Sequence, residues 1–288
     1  MLWSTAVIEL GLGAKFMIRN IMTVDLEDFY CDQPFASWSE YESRVVGNTR
    51  IILGLFERYQ VTATFFTVGY IAQRHSDLIE EVRSKGHEIA SHGFSHADIR
   101  TLNKESFESD LVKSLDALRN VSGEKILGFR APYFSINKDN FWAFEIMKKY
   151  LRYDSSIFPS KLHYHLAEAP RHIYRMSDQD PLEEDSNSKF VEIPLTTLRL
   201  SFLGNFPIAG AFYLRFLPNR LVKFSIDKFN KEGFPAVFYI HPSDLDPKVP
   251  RLGEYNWSYY WGLKSASRKF ESILKFFKFS AVRDVIEF

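Results

Sequence analysis

Residues 18–30 read IRNIMTVDLEDFY. An apolar, β-rich run breaks off into three carboxylates, Asp25, Glu27 and Asp28. The run predicts a strand over 18–25, with the acidic cluster at the end where parallel α/β folds gather their chemistry. Three further segments carry residues of the same kind. SHGFSH at 91–96 holds His92 and His96, GFRAPY at 128–133 holds Arg130, and FYIHP at 238–242 holds His241. The first, second and fourth of the four segments each follow a β-rich run. Carboxylates, a histidine pair, an arginine and a separate histidine at strand ends are the parts of a metal-dependent hydrolase.

Working outward, strand and helix alternate along most of the chain. Helical periodicity covers 39–59, 70–85, 103–119, 137–150, 217–232 and 262–277. Strands are predicted at 61–68, 87–91, 125–130, in RYDSSIF at 152–158, once or twice within 190–200, at 235–241 and at 279–285. Residues 160–189 read as a long polar surface loop. Such alternation favours parallel strands joined by right-handed helical crossovers. It brings the four segments to one mouth, and the predicted class is α/β.

Composition narrows the possible partners. The 288 residues suit one large domain, taken as 18–288, with 1–17 as an extension ahead of the first strand. Formal net charge is zero, which gives no electrostatic reason to propose nucleic acid or an anionic membrane as partner. The single cysteine, Cys31, rules out an intrachain disulfide and reads as a small buried hydrophobe. The N-terminus lacks a basic region and a long apolar core, and no stretch is long and apolar enough to span a bilayer. The expectation is a cytoplasmic protein without an integral membrane segment.

Each segment has a chemical reading. His92 and His96 are four apart, so a helical turn would set both imidazoles on one side, about 2 Å from a shared ion. One carboxylate completes a common open metal site, and a second, held off the metal, can act as general base. Arg130 can clamp and orient that carboxylate. Pro132 stiffens the turn that would aim the Tyr133 backbone N–H at a developing oxyanion. His241 is placed to protonate a leaving amine. Asp154 could hydrogen-bond His241, or simply start a turn. HEIASH at 87–92 misses the HExxH spacing by one residue, and His87 reads as structural. Trp257, Tyr259, Tyr260 and Trp261 read either as core packing or as a hold for a sugar or lipid carrier.

In this order and spacing the segments resemble the NodB-type polysaccharide deacetylases, carbohydrate esterase family 4, over about residues 20–285. TVDLEDFY with FYIHPSDLDPKVPRL is similar to a bacterial subgroup associated with exopolysaccharide biosynthesis. The resemblance implies a distorted (β/α)7 barrel. It also implies a divalent metal, usually zinc with cobalt as an alternative, and hydrolysis of N-acetyl groups on GlcNAc-like glycans or lipid-linked precursors. It further implies that Asp25 is the base, His92 and His96 bind the metal, and Arg130 orients the base. Tyr133 would then supply its backbone N–H, and His241 would be the acid, with Asp154 as its partner. Leu26 stands where the family's common first motif has a second, metal-binding Asp, so the third ligand is Glu27 or Asp28. Two other readings fit the same residues: hydrolysis of another C–N bond in an amide, imide or formyl sugar, and a catalytically silent glycan-binding protein.

Overall fold

The computed structural model describes residues 18–162, 166–201, 204–253 and 255–288. The expected extension at 1–17 lies outside the described residues, save for its boundary with residue 18. In chain order the strands are β1 (Asn20–Leu26), β2 (Thr64–Thr67), β3 (Glu88–Ser91), β4 (Gly128–Phe129), β5 (Tyr153–Asp154), β6 (Tyr174–Arg175), β7 (Val191–Glu192), β8 (Thr197–Leu200), β9 (Gly204–Pro207), β10 (Val237–Ile240) and β11 (Phe279–Ser280). The helices are α1 (Val45–Tyr59), α2 (Gly69–Arg74), α3 (Ser76–Ser84), α4 (Lys104–Ser122), α5 (Trp142–Tyr150), α6 (Ala211–Phe216), α7 (Asn219–Lys231), α8 (Trp257–Tyr260) and α9 (Leu263–Phe276).

β1 is buried along its whole length, as a strand flanked on both sides and covered on both faces must be. It pairs in parallel with β10 and β2, and the parallel order continues through β3, β4 and β5 to β7. Beyond β7 the chain swings back toward β10. The Val237 N–H donates to Thr196 Oγ1 at 2.7 Å, and the Thr196 N–H to the Val237 carbonyl at 3.4 Å. Seven parallel strands thus curl into an imperfectly closed barrel. β6 adds antiparallel to β7, and β8 and β9 form a separate hairpin.

Register carries the distant segments to one rim. Leu26 lies opposite Thr67, Thr67 opposite Ser91, Ser91 opposite Phe129, and Phe129 opposite Asp154. Val24 lies opposite Ile240 on the other side. The residues just past these ends, Glu27, His92, Arg130 and His241, therefore emerge side by side.

Several expected elements change shape. The helix predicted over 39–59 begins only at Val45, after a short 3-10 turn at Phe35–Glu40. The helix over 70–85 is broken at His75 into α2 and α3. The polar stretch 160–189 contains β6 and a bridge between Met176 and Glu184, with Ile173, Tyr174 and Met176 buried. Long α4 follows the predicted pattern, capped by Asn103 with Ser106 and ended by Gly123 at φ 68°.

Candidate active site

The barrel's rim surrounds a pocket of about 230 Å³ lined by Asp25, Glu27, His92, His96, Tyr133 and His241, among others. The histidine pair does not sit on a helical turn. β3 ends at Ser91, and 92–96 form a loop with Gly93 at φ 73° and His96 at φ 52°. Asp110 on α4 fixes that loop by accepting from the Phe94 N–H at 2.8 Å, the Ser95 N–H at 3.2 Å and Ser95 Oγ at 2.6 Å. A Cβ at Gly93 would lie 3.0 Å from Asp110 Oδ2 in a backbone conformation that favours glycine. The i, i+4 spacing still brings the rings together, with centroids 5.1 Å apart.

Hydrogen bonds behind the two rings set their tautomers. His92 Nδ1 lies 2.7 Å from the Arg130 carbonyl, and His96 Nδ1 lies 3.1 Å from the Cys31 carbonyl. A carbonyl only accepts, so both Nδ1 atoms carry the hydrogen, and a neutral ring then turns a bare Nε2 into the pocket. Both Nε2 atoms face Glu27 Oε2, at 3.6 Å from His92 and 2.6 Å from His96. Oε2 is buried and has no hydrogen-bond partner among the described residues. Three acceptor atoms converging on one buried point call for a cation between them. The ligand atoms of Glu27, His92 and His96 all lie within 4.8 Å of one another and suit a divalent metal. Burial opposes charge on His96, but the Glu27 carboxylate raises its pKa; His96 and His241 in turn hold Glu27 well below the usual carboxylate range despite its burial.

Asp28 is turned away, which corrects its candidacy as a ligand. Its carboxylate accepts from the Phe29 N–H, Ser43 Oγ and the N–H groups of Arg44 and Val45. It thereby caps the start of α1, whose own N-cap residue makes no side-chain capping bond.

Asp25 and Arg130 meet under the pocket. Arg130 Nη1 donates to Asp25 Oδ1 at 2.6 Å and to Thr23 Oγ1 at 2.9 Å, while Nε and Nη2 bind the Ser155 carbonyl and hydroxyl. The guanidinium also lies over the Phe66 ring at 4.2 Å. The second oxygen, Asp25 Oδ2, lies 3.8 Å from His241 Nε2, and Glu27 Oε1 lies 3.7 Å from the same nitrogen. Tyr133 follows in the turn with φ 58°, a conformation that costs a tyrosine energy. Its ring packs on His96, with centroids 4.8 Å apart.

His241 is held by Asp244 and not by Asp154, a second correction. His241 Nδ1 lies 3.0 Å from Asp244 Oδ2, and the His241 N–H donates to the same oxygen at 2.9 Å. Asp244 pairs in turn with Arg215 Nε at 2.8 Å. Burial works against charge on His241, but Glu27, then Asp244 and Asp25, push its pKa up to about 10. Asp154 instead accepts from the Ser156 N–H and hydroxyl. Burial pushes it up to about 6, and beside it burial raises the Glu192 carboxyl well above its ordinary value.

Sequence reasoning missed Asp244, Arg215 and Asp110. Asp244 stands three residues after His241, so its reach back to the same turn had a local signal. Arg215 and Asp110 lie on other elements and had none.

Residues 37–149 match the family model described as polysaccharide deacetylase, and residues 155–287 match a domain of unknown function, DUF3473. The sheet runs through both regions. The chain is 27% identical over 106 residues to the peptidoglycan deacetylase of Helicobacter pylori, covering 37% of this chain and 36% of that protein. It therefore spans only about a third of that relative's length. Among solved structures it is similar to an allantoinase, with a TM-score of 0.56, 15% identity and coverage of 89% of this chain and 82% of that one. A peptidoglycan N-acetylglucosamine deacetylase in complex with an N-oxidanyl-benzamide gives a TM-score of 0.51 at 15% identity, covering 93% and 87%. At these identities the structural likenesses show the fold, the curled parallel barrel of the NodB-type deacetylases.

Proposed function

We propose, from the premise that residues 37–149 belong to the polysaccharide deacetylase family, that this chain is a metal-dependent hydrolase. In this reading it removes N-acetyl groups from a GlcNAc-like glycan or its precursor. The observation that carries the reading is the convergence of the Glu27, His92 and His96 acceptor atoms beside the Asp25–Arg130 pair and His241.

Glu27, His92 and His96 would hold a divalent cation, zinc by the preference of a two-histidine, one-carboxylate set. When bound, the cation supplies Lewis-acid polarisation of the acyl oxygen and a lowered pKa for water. The remaining chemistry belongs to the chain. Asp25, oriented by Arg130, receives the proton of the attacking water on Oδ2. The Tyr133 backbone N–H is assigned to stabilise the charge that develops on the acyl oxygen. His241, with Nδ1 anchored on Asp244, delivers the Nε2 proton to the departing amine.

The comparisons support the reading through a relative that is named for deacetylation of peptidoglycan. Hydrolysis of another C–N bond is the second reading, because an allantoinase shares the fold and a fold does not choose its acyl group. A panel of N-acetyl amino-sugar oligomers, formylated sugars and small cyclic amides separates the two. Acetate release confined to the N-acetyl sugars supports deacetylation. Turnover confined to the cyclic amides overturns it.

A further inference from the structure

We infer that Asp154 and Glu192 share one proton as a buried acid pair, and that through Ser156 this pair positions the turn carrying Arg130 and Tyr133. The consequence for turnover rests on the deacetylase reading; the shared proton does not.

β5 and β7 run in parallel with Asp154 opposite Glu192, so both side chains leave the same face of the sheet, and both residues are fully buried. They converge on one loop. The Ser156 N–H donates to Asp154 Oδ2 at 2.8 Å, and the next N–H, of Ile157, donates to Glu192 Oε1 at 3.0 Å. Ser156 Oγ donates to Asp154 Oδ1 at 2.7 Å. Glu192 Oε2 is buried, and no N–H or O–H of the described residues reaches it. The side chain that Glu192 meets is the Asp154 carboxyl. Two bare carboxylates cannot satisfy one another. One proton between them makes the contact a hydrogen bond and removes one of two buried charges.

Arg130, just past β4, and Tyr174 of β6 face the pair. Burial keeps the Tyr174 hydroxyl neutral. Arg130 favours the ionised carboxyls, but burial outweighs it, and Asp154 is pushed up to about 6 and Glu192 well above its ordinary value. The proton therefore rests on Glu192 at neutral pH, and Asp154 keeps the charge that Ser156 binds.

From the pair the bonds run to the site. Ser156 Oγ, its own hydrogen given to Asp154, accepts the Ala131 N–H at 2.8 Å. Ala131 stands between Arg130 and a turn in which Tyr133 and Phe134 both take left-handed backbone, at φ 58° and 52°. Such backbone persists only where its surroundings hold it. The Ala131 anchor supplies that hold, and the acid pair fixes the anchor. A positioned turn in this sense needs a fully satisfied network behind it.

The test compares wild type with Glu192→Gln, whose amide is a permanent donor, and Glu192→Leu, which has none. The infrared difference between wild type and Glu192→Gln at neutral pH is expected to contain the carbonyl stretch of a protonated carboxylic acid. Its absence overturns the shared proton. With zinc supplied, Glu192→Leu is expected to lower kcat about tenfold, the order of one hydrogen bond, with KM unchanged and the Ala131 amide exchanging faster. Glu192→Gln restores both. Equal losses in the two variants, or Ala131 exchange that ignores Glu192→Leu, overturn the positioning role. Should Glu192→Leu fail to fold, Ser156→Ala cuts the link and leaves the pair. It is expected to keep the infrared band while Ala131 exchange quickens, and unchanged exchange there overturns the positioning role. The band and Glu192-dependent Ala131 exchange without acetate release by the wild type keep the pair and remove the deacetylase reading. Acetate release indifferent to Glu192→Leu keeps that reading and removes the positioning role.

Discussion

Arg130 Nη1 lies 2.6 Å from Asp25 Oδ1, with both side chains buried and Asp25 lining the pocket. The pair couples stability to chemistry, because one carboxylate oxygen is committed to the guanidinium and the other faces His241. Arg130→Met leaves the buried Asp25 charge without its guanidinium, and is expected to cost about 3–5 kcal/mol, measured by urea unfolding. Asp25→Asn keeps an acceptor for Arg130, so the fold and metal binding survive. Turnover is expected to fall by about 10²–10⁴-fold, measured as acetate release.

Glu27 and Asp28 differ sharply in what their oxygens touch. Glu27→Ala is expected to abolish cobalt binding, read from the visible spectrum. Asp28→Ala leaves that spectrum intact and lowers stability by about 1–2 kcal/mol, the usual cost of losing a helix cap. Metal loss in Asp28→Ala with metal retained in Glu27→Ala would reverse the two roles.

Asp244 joins His241 to Arg215. Asp244→Ala takes the carboxylate from a buried guanidinium and frees the His241 ring, so both stability and turnover drop. Arg215→Met alone also destabilises. The double variant is expected to lose less than the sum of the two, by about 0.5–3 kcal/mol in a double-mutant cycle. Strict additivity would show that the pair is not coupled.

His87 supplies a pH signature away from the site. Its Nδ1 accepts the Ala63 N–H at 3.2 Å, and burial lowers its pKa to about 4. The unfolded histidine takes up its proton near pH 6.5, so the folded state loses stability as pH falls from about 6.5 to 4. The size is on the order of 3 kcal/mol. Asp154, whose folded pKa is raised to about 6, acts oppositely, gaining stability as pH falls through that value. The contribution of His87 is therefore read as the difference between wild type and His87→Asn, a variant that keeps an acceptor for Ala63. Parallel curves for the two proteins would contradict it.

Much of the fold was legible because β1 and β10, the central parallel pair, are apolar runs that end at chemical residues. IRNIMTVD and PAVFYIH announce both their burial and their functional ends, and parallel register does the rest. The two-residue strand β6 lacks such a run. Its place is set by antiparallel pairing with β7, so the stretch 160–189 read as a loop. Within the site, Asp25, His92, His96, Arg130 and His241 could be named from local pattern. The choice between Glu27 and Asp28 could not, because it depends on whether the chain bends before or after residue 28 to meet Ser43 and Val45. Asp154 was misplaced as the partner of His241 for the same reason. Its carboxylate is taken up locally by Ser156, and only the turn after β10 shows that Asp244 is nearer.

The central claim is a metal held by Glu27, His92 and His96 that serves deacetylation beside Asp25. The most direct test is a titration of chelator-stripped protein with zinc, following acetate release from N-acetylglucosamine oligomers. Release should rise from zero and level off at about one equivalent per chain, the capacity of a single three-ligand site, and His92→Ala should stay flat throughout. Full release from the stripped protein, or a His92→Ala curve matching the wild type, would contradict the account.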